Sequence, residues 1–310
     1  MYVLINMEVF GISQEYQYVE LELDSKDGSA SSDNASSLNW PTFFIPRPLQ
    51  DVVAVKVLSA EIPFSYYVFN SNNNTFTLTE TAPGTSSTVT IPEGNYTSSS
   101  LATALGTALT TASTTPVTYT VAFSTLTQKF TISSTAAISK PFTLTFGASN
   151  DPGNSNPRFY LGFNGGSISS NSLANPSLTA PNIAQISGPN YIYINSEVLG
   201  NISNCFLPAN AQNLNRGLSG PQMARVPITS NPGGVSYYTD PDPQKYFDLE
   251  RLYQLTSFDL YCTLGNTSTE VPLNFNGVGF SVKIGVILKR PLQAKIMNPN
   301  HSNGTRMVIG

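Results

Sequence analysis

Val278-Gly279-Phe280-Ser281-Val282-Lys283-Ile284-Gly285-Val286-Ile287-Leu288 sets an apolar residue at every second position. That period of two reads as a strand with one buried face, and at about eleven residues it is longer than the usual five or six. A second strand is apolar on both sides. In Val52-Val53-Ala54-Val55-Lys56-Val57-Leu58, Val53, Val55 and Val57 share one face, and Val52, Ala54, Lys56 and Leu58 share the other. Such a strand belongs inside a sandwich or against another subunit. In residues 16–23, Tyr18, Glu20 and Glu22 alternate with Val19, Leu21 and Leu23, while residues 25–37 read as an exposed Ser/Asp/Gly/Asn loop. Further strands are expected at 61–70, 191–195, 224–228 and 255–264.

The middle of the chain differs. Ser71-Asn72-Asn73-Asn74 is a turn sequence, predicting a hairpin between 67–70 and 76–80. Leu101, Leu105 and Leu109 recur every four residues with alanines between them. They predict a helix capped by Asn95 or Thr97 and ended before Pro116. No charged residue lies between Gly94 and Gln128, so this helix must dock on a sheet. Partner strands are expected at 117–123, 129–133, 141–146 and 159–163. Residues 164–188, rich in Gly, Ser, Asn and Pro, read as a linker or wandering loop. The expected fold is mainly β: an antiparallel jelly-roll sandwich of residues 1–70 and 166–292. A small α+β unit at 71–165, with one helix, interrupts it, and 293–310 forms a C-terminal tail.

Composition narrows the function. Only 11% of the 310 residues are charged, the net charge is −4, and Ser, Thr and Asn supply 97 residues. Scattered Lys and Arg give a nucleic-acid surface little to build on. A single histidine, His301, disfavours imidazole chemistry and His-ligated metal. Cys205 and Cys262 match no zinc spacing and read as small apolar fillers. No secretion signal and no apolar stretch of membrane-spanning length is expected. Asn34-Ala-Ser36 and Asn201-Ile-Ser203 are products of composition rather than glycan acceptors. No nucleophile elbow, phosphate loop or zinc-protease helix appears, so no enzyme and no cofactor is expected. Asp240, Asp242, Asp248 and Glu250 could form a two-carboxylate glycosidase site, or Asp240-Pro-Asp242 a calcium loop. The prolines make a turn the simpler account.

Trp40, Phe43, Phe44, Tyr66 and Tyr67 flank Pro41, Pro46, Pro48 and Pro63. Core packing explains any one of these aromatics. As a group beside strand-interrupting prolines, they belong at sheet ends or edges, where subunit interfaces use them.

Trp40-Pro41 with Ile45-Pro46 precedes residues 52–61, which run into Ile62-Pro63-Phe64-Ser65-Tyr66-Tyr67. Asn72-Asn73-Asn74-Thr75-Phe76 follows, then Ile91-Pro92-Glu93-Gly94-Asn95-Tyr96-Thr97 ahead of the helix. Phe159-Tyr160-Leu161-Gly162-Phe163, Ala224-Arg225-Val226-Pro227-Ile228 and the strand 279–288 complete the order. This order resembles the penton, or fivefold-vertex, capsid proteins of icosahedral double-stranded DNA viruses with double-jelly-roll major capsid proteins. That group includes large algal and amoebal viruses and virophages. The resemblance implies a structural virion protein located at the capsid vertex. It would be a single upright jelly roll, closing each vertex as a homopentamer with the insert outermost. Its partners would be further copies of itself and neighbouring major capsid protein capsomers, with a fibre or host receptor as a further candidate. A closed ring needs two different complementary faces. Trp40, Phe43, Phe44, Val53, Val55, Val57, Tyr66 and Tyr67 are the expected contributors. The first 25 residues hold no Lys or Arg, so direct contact with nucleic acid is not expected. The competing expectation is a receptor- or glycan-binding jelly-roll attachment protein using exposed aromatics and loop carboxylates.

Overall fold

The structure, a computed structural model, describes residues 3–9, 12–30, 40–81, 84–114, 117–135, 141–147, 156–171, 175–200, 222–241, 247–264 and 272–289. In chain order its elements begin with β1 (Val3–Val9), β2 (Ile12–Asp24), β3 (Ser29–Ala30) and β4 (Pro41–Pro63). Next come β5 (Thr75–Glu80), β6 (Thr85–Thr90), α1 (Ser98–Ala112), β7 (Thr118–Ser124), β8 (Lys129–Thr135) and β9 (Phe142–Phe146). Then follow α2 (Arg158–Leu161), β10 (Gly166–Ser169), β11 (Ser177–Thr179) and β12 (Tyr191–Asn195). β13 (Gln222–Pro227), β14 (Val235–Thr239), β15 (Phe247–Asp259), β16 (Tyr261–Thr263) and β17 (Ser281–Lys289) complete the series. The protein is mainly β, and all its ladders between named strands are antiparallel.

β4, 23 residues long, is the spine of the largest sheet. β3 and β17 pair along one edge, while β15 and β14 pair along the other. β2 and then β1 extend the sheet beyond β17. The doubly apolar stretch is central, as its pattern requires: Val52, Ala54, Val55 and Val57 are all buried. Strict alternation does not survive, because the β17 register shifts at Ile284 and Leu288 leave Leu58 and Val53 as extra residues on β4. Such bulges let a long strand bend without losing its ladder. The alternating strand that opened the reading is β17, slightly displaced: it starts at Ser281, and Val278 is exposed. Phe280, Val282, Ile284, Val286 and Leu288 form the buried row. A second sheet, β13-β12-β16, packs through β13 onto β4 and β14.

The region between β4 and β12 holds two more sheets, β10-β9-β5-β6 and β11-β8-β7. Contacts such as Tyr119 on β7 against Phe142 on β9, ring centroids 5.2 Å apart, join them. α1 lies on β7 and β6 and fully buries Leu101, Leu105 and Leu109. Of the two expected caps, Thr97 is the one used, in a reciprocal capping box with Ser100. Asn95 is spent elsewhere: its Oδ1 accepts from the Val68 N–H at 2.8 Å and its Nδ2 donates to the Tyr66 carbonyl at 2.9 Å.

The strand expected at 61–70 stops at Pro63, where β4 ends, and residues 25–30 of the expected loop form a short 3-10 turn and β3. Three expectations in and beside the insert fail for identifiable reasons. The 71–74 turn exists, yet β5 pairs with β6 and β9 rather than with 67–70, of which only Phe69 forms a bridge, to Gly94. Residues 159–163 are not a strand. Pro157 caps the helical turn α2, and Gly162 ends it at φ 79°, where a Cβ would lie 2.4 Å from the Asn182 carbonyl oxygen. Residues 164–188 are not an unstructured linker, since β10 pairs with β9 and β11 with β8. Strand pairing thus ties residues 166–169 and 177–179 to β9 and β8. One apolar cluster runs from the insert into the sandwich, with Phe69 against Tyr160 (5.3 Å) at the junction. The 293–310 tail lies outside the described residues.

Candidate functional site

The eight expected contact residues divide sharply. Phe43, Val55, Val57 and Tyr66 are buried by the chain's own atoms. Phe43 packs on Phe258, and Tyr66 stacks on Phe64 at 4.5 Å. The Tyr66 hydroxyl has no hydrogen-bond partner among the described residues, and burial pushes its ionisation well above the ordinary tyrosine range. Trp40 is half-buried, with its ring 4.2 Å from that of Tyr261 and its indole N–H donating to Asp259 Oδ2 at 2.8 Å. Val53, on a bulge, is also half-buried. The core of a single subunit therefore accounts for most of this group. Phe44 and Tyr67 are the exceptions, 71% and 40% exposed.

Phe44 owes its exposure to position. Along the β3/β17 edge of β4, no described strand pairs between the end of the β3 ladder at Thr42 and the start of the β17 ladder at Val52, although β15 pairs along the opposite edge. Pro46 and Pro48, which lack N–H donors, occupy that gap. Phe44 is exposed beside this unpaired stretch, while its neighbour Phe43 is buried. At the other end of β4 an exposed pair escaped the sequence reading. β14 is the terminal strand of its sheet path, and Tyr237 (67% exposed) and Val235 project from it. The alternation of Val235 and Tyr237 about the buried Ser236 inverts the usual pattern, a signal that could have been noticed.

The carboxylates proposed for catalysis do not assemble a described site. Asp240 pairs with the buried Lys56 ammonium at 3.2 Å, and its backbone N–H donates to the Leu58 carbonyl at 2.9 Å. Asp242 and the side chains of Asp248 and Glu250 lie outside the described residues. Lys56 itself was placed on an apolar face by its alternation. Its full burial is the counterpart of Asp240, since an unpaired interior ammonium would cost several kcal/mol. Cys262 is a free, buried thiol whose ionisation burial pushes far up, which makes it unreactive. Cys205 and His301 lie outside the described residues. Among the described residues no three metal-ligating side chains come together, and no helix is long and apolar enough to cross a membrane.

No protein-family model matches the chain, and no curated protein matches it. Among solved structures it is similar to the mavirus penton protein, at 11% identity over 87% of this chain and 99% of that one, with a TM-score of 0.45. It is also similar to a chain in the cryo-EM structure of the Sputnik virophage. There the identity is 14% over 87% of this chain and 97% of that one, with a TM-score of 0.40.

Proposed function

We propose that the protein is a structural capsid subunit that closes fivefold vertices as a homopentamer, its β-sandwich in the shell and its insert outermost. The observation that carries this reading is the way the insert is attached. The chain leaves the sandwich after β4 ends at Pro63, builds two sheets and two helices, one of them a single turn, and returns at Tyr191. The ordered motifs of the penton resemblance fall on both sides of that excursion and within it. The flanks of the sandwich stay open to neighbours, with exposed apolar groups at two separate places: Phe44 towards one end of β4, Tyr237 and Val235 at the other. A ring built by one heterologous contact requires two different patches of this kind. The low charge fits contacts that do not depend on ionic strength.

Native mass measured over a range of concentrations tests the proposal. The expected result is a discrete species of five 33.3 kDa chains. Phe44→Ser and Tyr237→Ser should each shift it towards the monomer without lowering the melting temperature. A discrete trimer would overturn the pentamer and favour an attachment role.

A further inference from the structure

A cleft of about 720 Å³ opens where the insert meets the sandwich. The approach to α1, the turn after β7, the 184–190 loop and the 228–232 turn ahead of β14 supply its walls. Its volume falls within the range of small-ligand sites. None of its lining residues is Asp, Glu, Lys, Arg or His. Its floor is apolar: Phe64 and Val68 are buried there, with Ile186 and Ile228 half-buried.

The polar groups around it fall into two sets. One set holds the walls. Both ends of the Asn95 amide are taken by backbone, and the Tyr96 hydroxyl donates to the Pro92 carbonyl at 2.6 Å. The Asn190 carbonyl accepts from Ile228 N–H and the Asn231 carbonyl from Gly234 N–H, both at 2.9 Å. The other set is unspent: the exposed side chains of Gln128, Ser187, Asn190 and Asn231 make no hydrogen bond to any described residue. The walls are therefore pre-organised while the rim keeps its donors and acceptors.

We propose that this cleft binds an uncharged oligosaccharide. An anionic ligand would find no cation to offset its desolvation, and a cationic one no carboxylate. A purely apolar ligand would cover the rim amides and leave them unpaired, which is costly. A neutral sugar satisfies both surfaces. Its C–H faces match the apolar floor and the half-buried rings of Tyr96 and Phe123. Its hydroxyls donate and accept, as do the Asn and Gln amides. This inference rests on the cleft alone and not on the pentamer.

The test is calorimetric titration of the full chain with cellohexaose, maltohexaose, chitohexaose and mannohexaose, beside sialyllactose and a heparin hexasaccharide as charged controls. At least one neutral hexasaccharide should bind saturably. Gln128→Ala combined with Asn231→Ala, both at exposed positions, should weaken it by about tenfold or more. Ser187→Trp, which fills the mouth, should do the same. Absence of neutral binding at about 10 mM ligand, well above any useful affinity, would overturn the proposal. So would binding of the charged controls alone, or neutral binding that both variants leave unchanged.

Discussion

Among the described residues the sandwich and the insert each bury one carboxylate, and the two are served by different donors. In the sandwich, Asp259 accepts from the Trp40 indole, the Ser196 hydroxyl (3.2 Å) and the backbone N–H groups of Glu197 (3.1 Å) and Val198 (3.2 Å). It thereby ties two stretches distant in sequence, Trp40 and residues 196–198, to the end of β15. In the insert, Glu80 accepts from the hydroxyls of Ser113 (2.7 Å), Thr114 (3.2 Å) and Tyr119 (3.1 Å), and from the Thr114 N–H (3.1 Å). It joins the end of α1 to β5 and β7. Hydroxyls can rotate towards another acceptor, whereas a fixed backbone N–H cannot. By the described donors, the sandwich depends more heavily on its carboxylate than the insert does.

The outer surfaces differ in the same sense. The sandwich carries charge across its strands: Lys283 on β17 lies 2.8 Å from Glu22 and 3.6 Å from Glu20 on β2. That pairing raises the lysine's pKa and lowers that of Glu22. Exposed pairs of this kind contribute little to stability. The insert replaces charges with hydroxyl pairs between neighbouring strands, among them Thr143 with Ser169, Thr145 with Ser167 and Thr131 with Thr179. Its described surface is consequently sparsely charged, with an exposed Glu93 and a half-buried Lys129.

The strongest test of this division is Val55→Asp. Val55 is 1% exposed and sits between β15 and β17, so the substitution buries a carboxylate without a partner. A cost of about 4 kcal/mol is expected, enough to unfold a marginal sandwich. The insert should survive, and limited proteolysis should recover a protected fragment close to residues 75–179. Loss of that fragment would mean that the two regions fold as one unit.

A smaller effect compares the carboxylates directly. Asp259→Ala strands two backbone N–H groups and an indole, and should cost about 3 kcal/mol in urea unfolding. Glu80→Ala should cost less, about 2 kcal/mol, because its hydroxyl donors can re-pair. Equal costs would remove the distinction between fixed and rotatable donors. The smallest effect is at the junction. Tyr66→Phe deletes a buried hydroxyl that lacks a partner, and should leave stability unchanged or raise it by about 1 kcal/mol. A measured loss would show that the hydroxyl is bonded.

Much of the fold was legible in short windows. The Leu101, Leu105 and Leu109 repeat, with Thr97 ahead of it, located α1 almost to the residue. The alternation in 278–288 located β17, and the doubly apolar run located the middle of the largest sheet. The short strands β10 and β11 were not legible. Each of these Ser/Thr-rich strands turns a lone large apolar residue, Ile168 or Leu178, towards the core, and its existence depends on the neighbour it pairs with. The aromatic turn α2 was misread for the opposite reason: Phe and Tyr favour strands, yet Pro157 and Gly162 bracket a single helical turn.

The candidate contact surfaces show the same boundary. An apolar residue announces that something covers it, but not which molecule does. Phe43 and Phe44 are adjacent in sequence, and only the packing of Phe258 separates the buried one from the exposed one. The cleft left no trace in any window, because its lining comes from five stretches between Phe64 and Pro232. The amino-acid sequence by itself determined the strand and helix periods, the scarcity of charge and the absence of recognisable catalytic motifs, since all are properties of neighbouring residues or of composition. The tertiary structure alone decided which strands pair, which apolar faces the chain covers for itself and where unspent amides gather around an apolar floor. Those depend on contacts between residues far apart in the chain, whose closure no local pattern encodes.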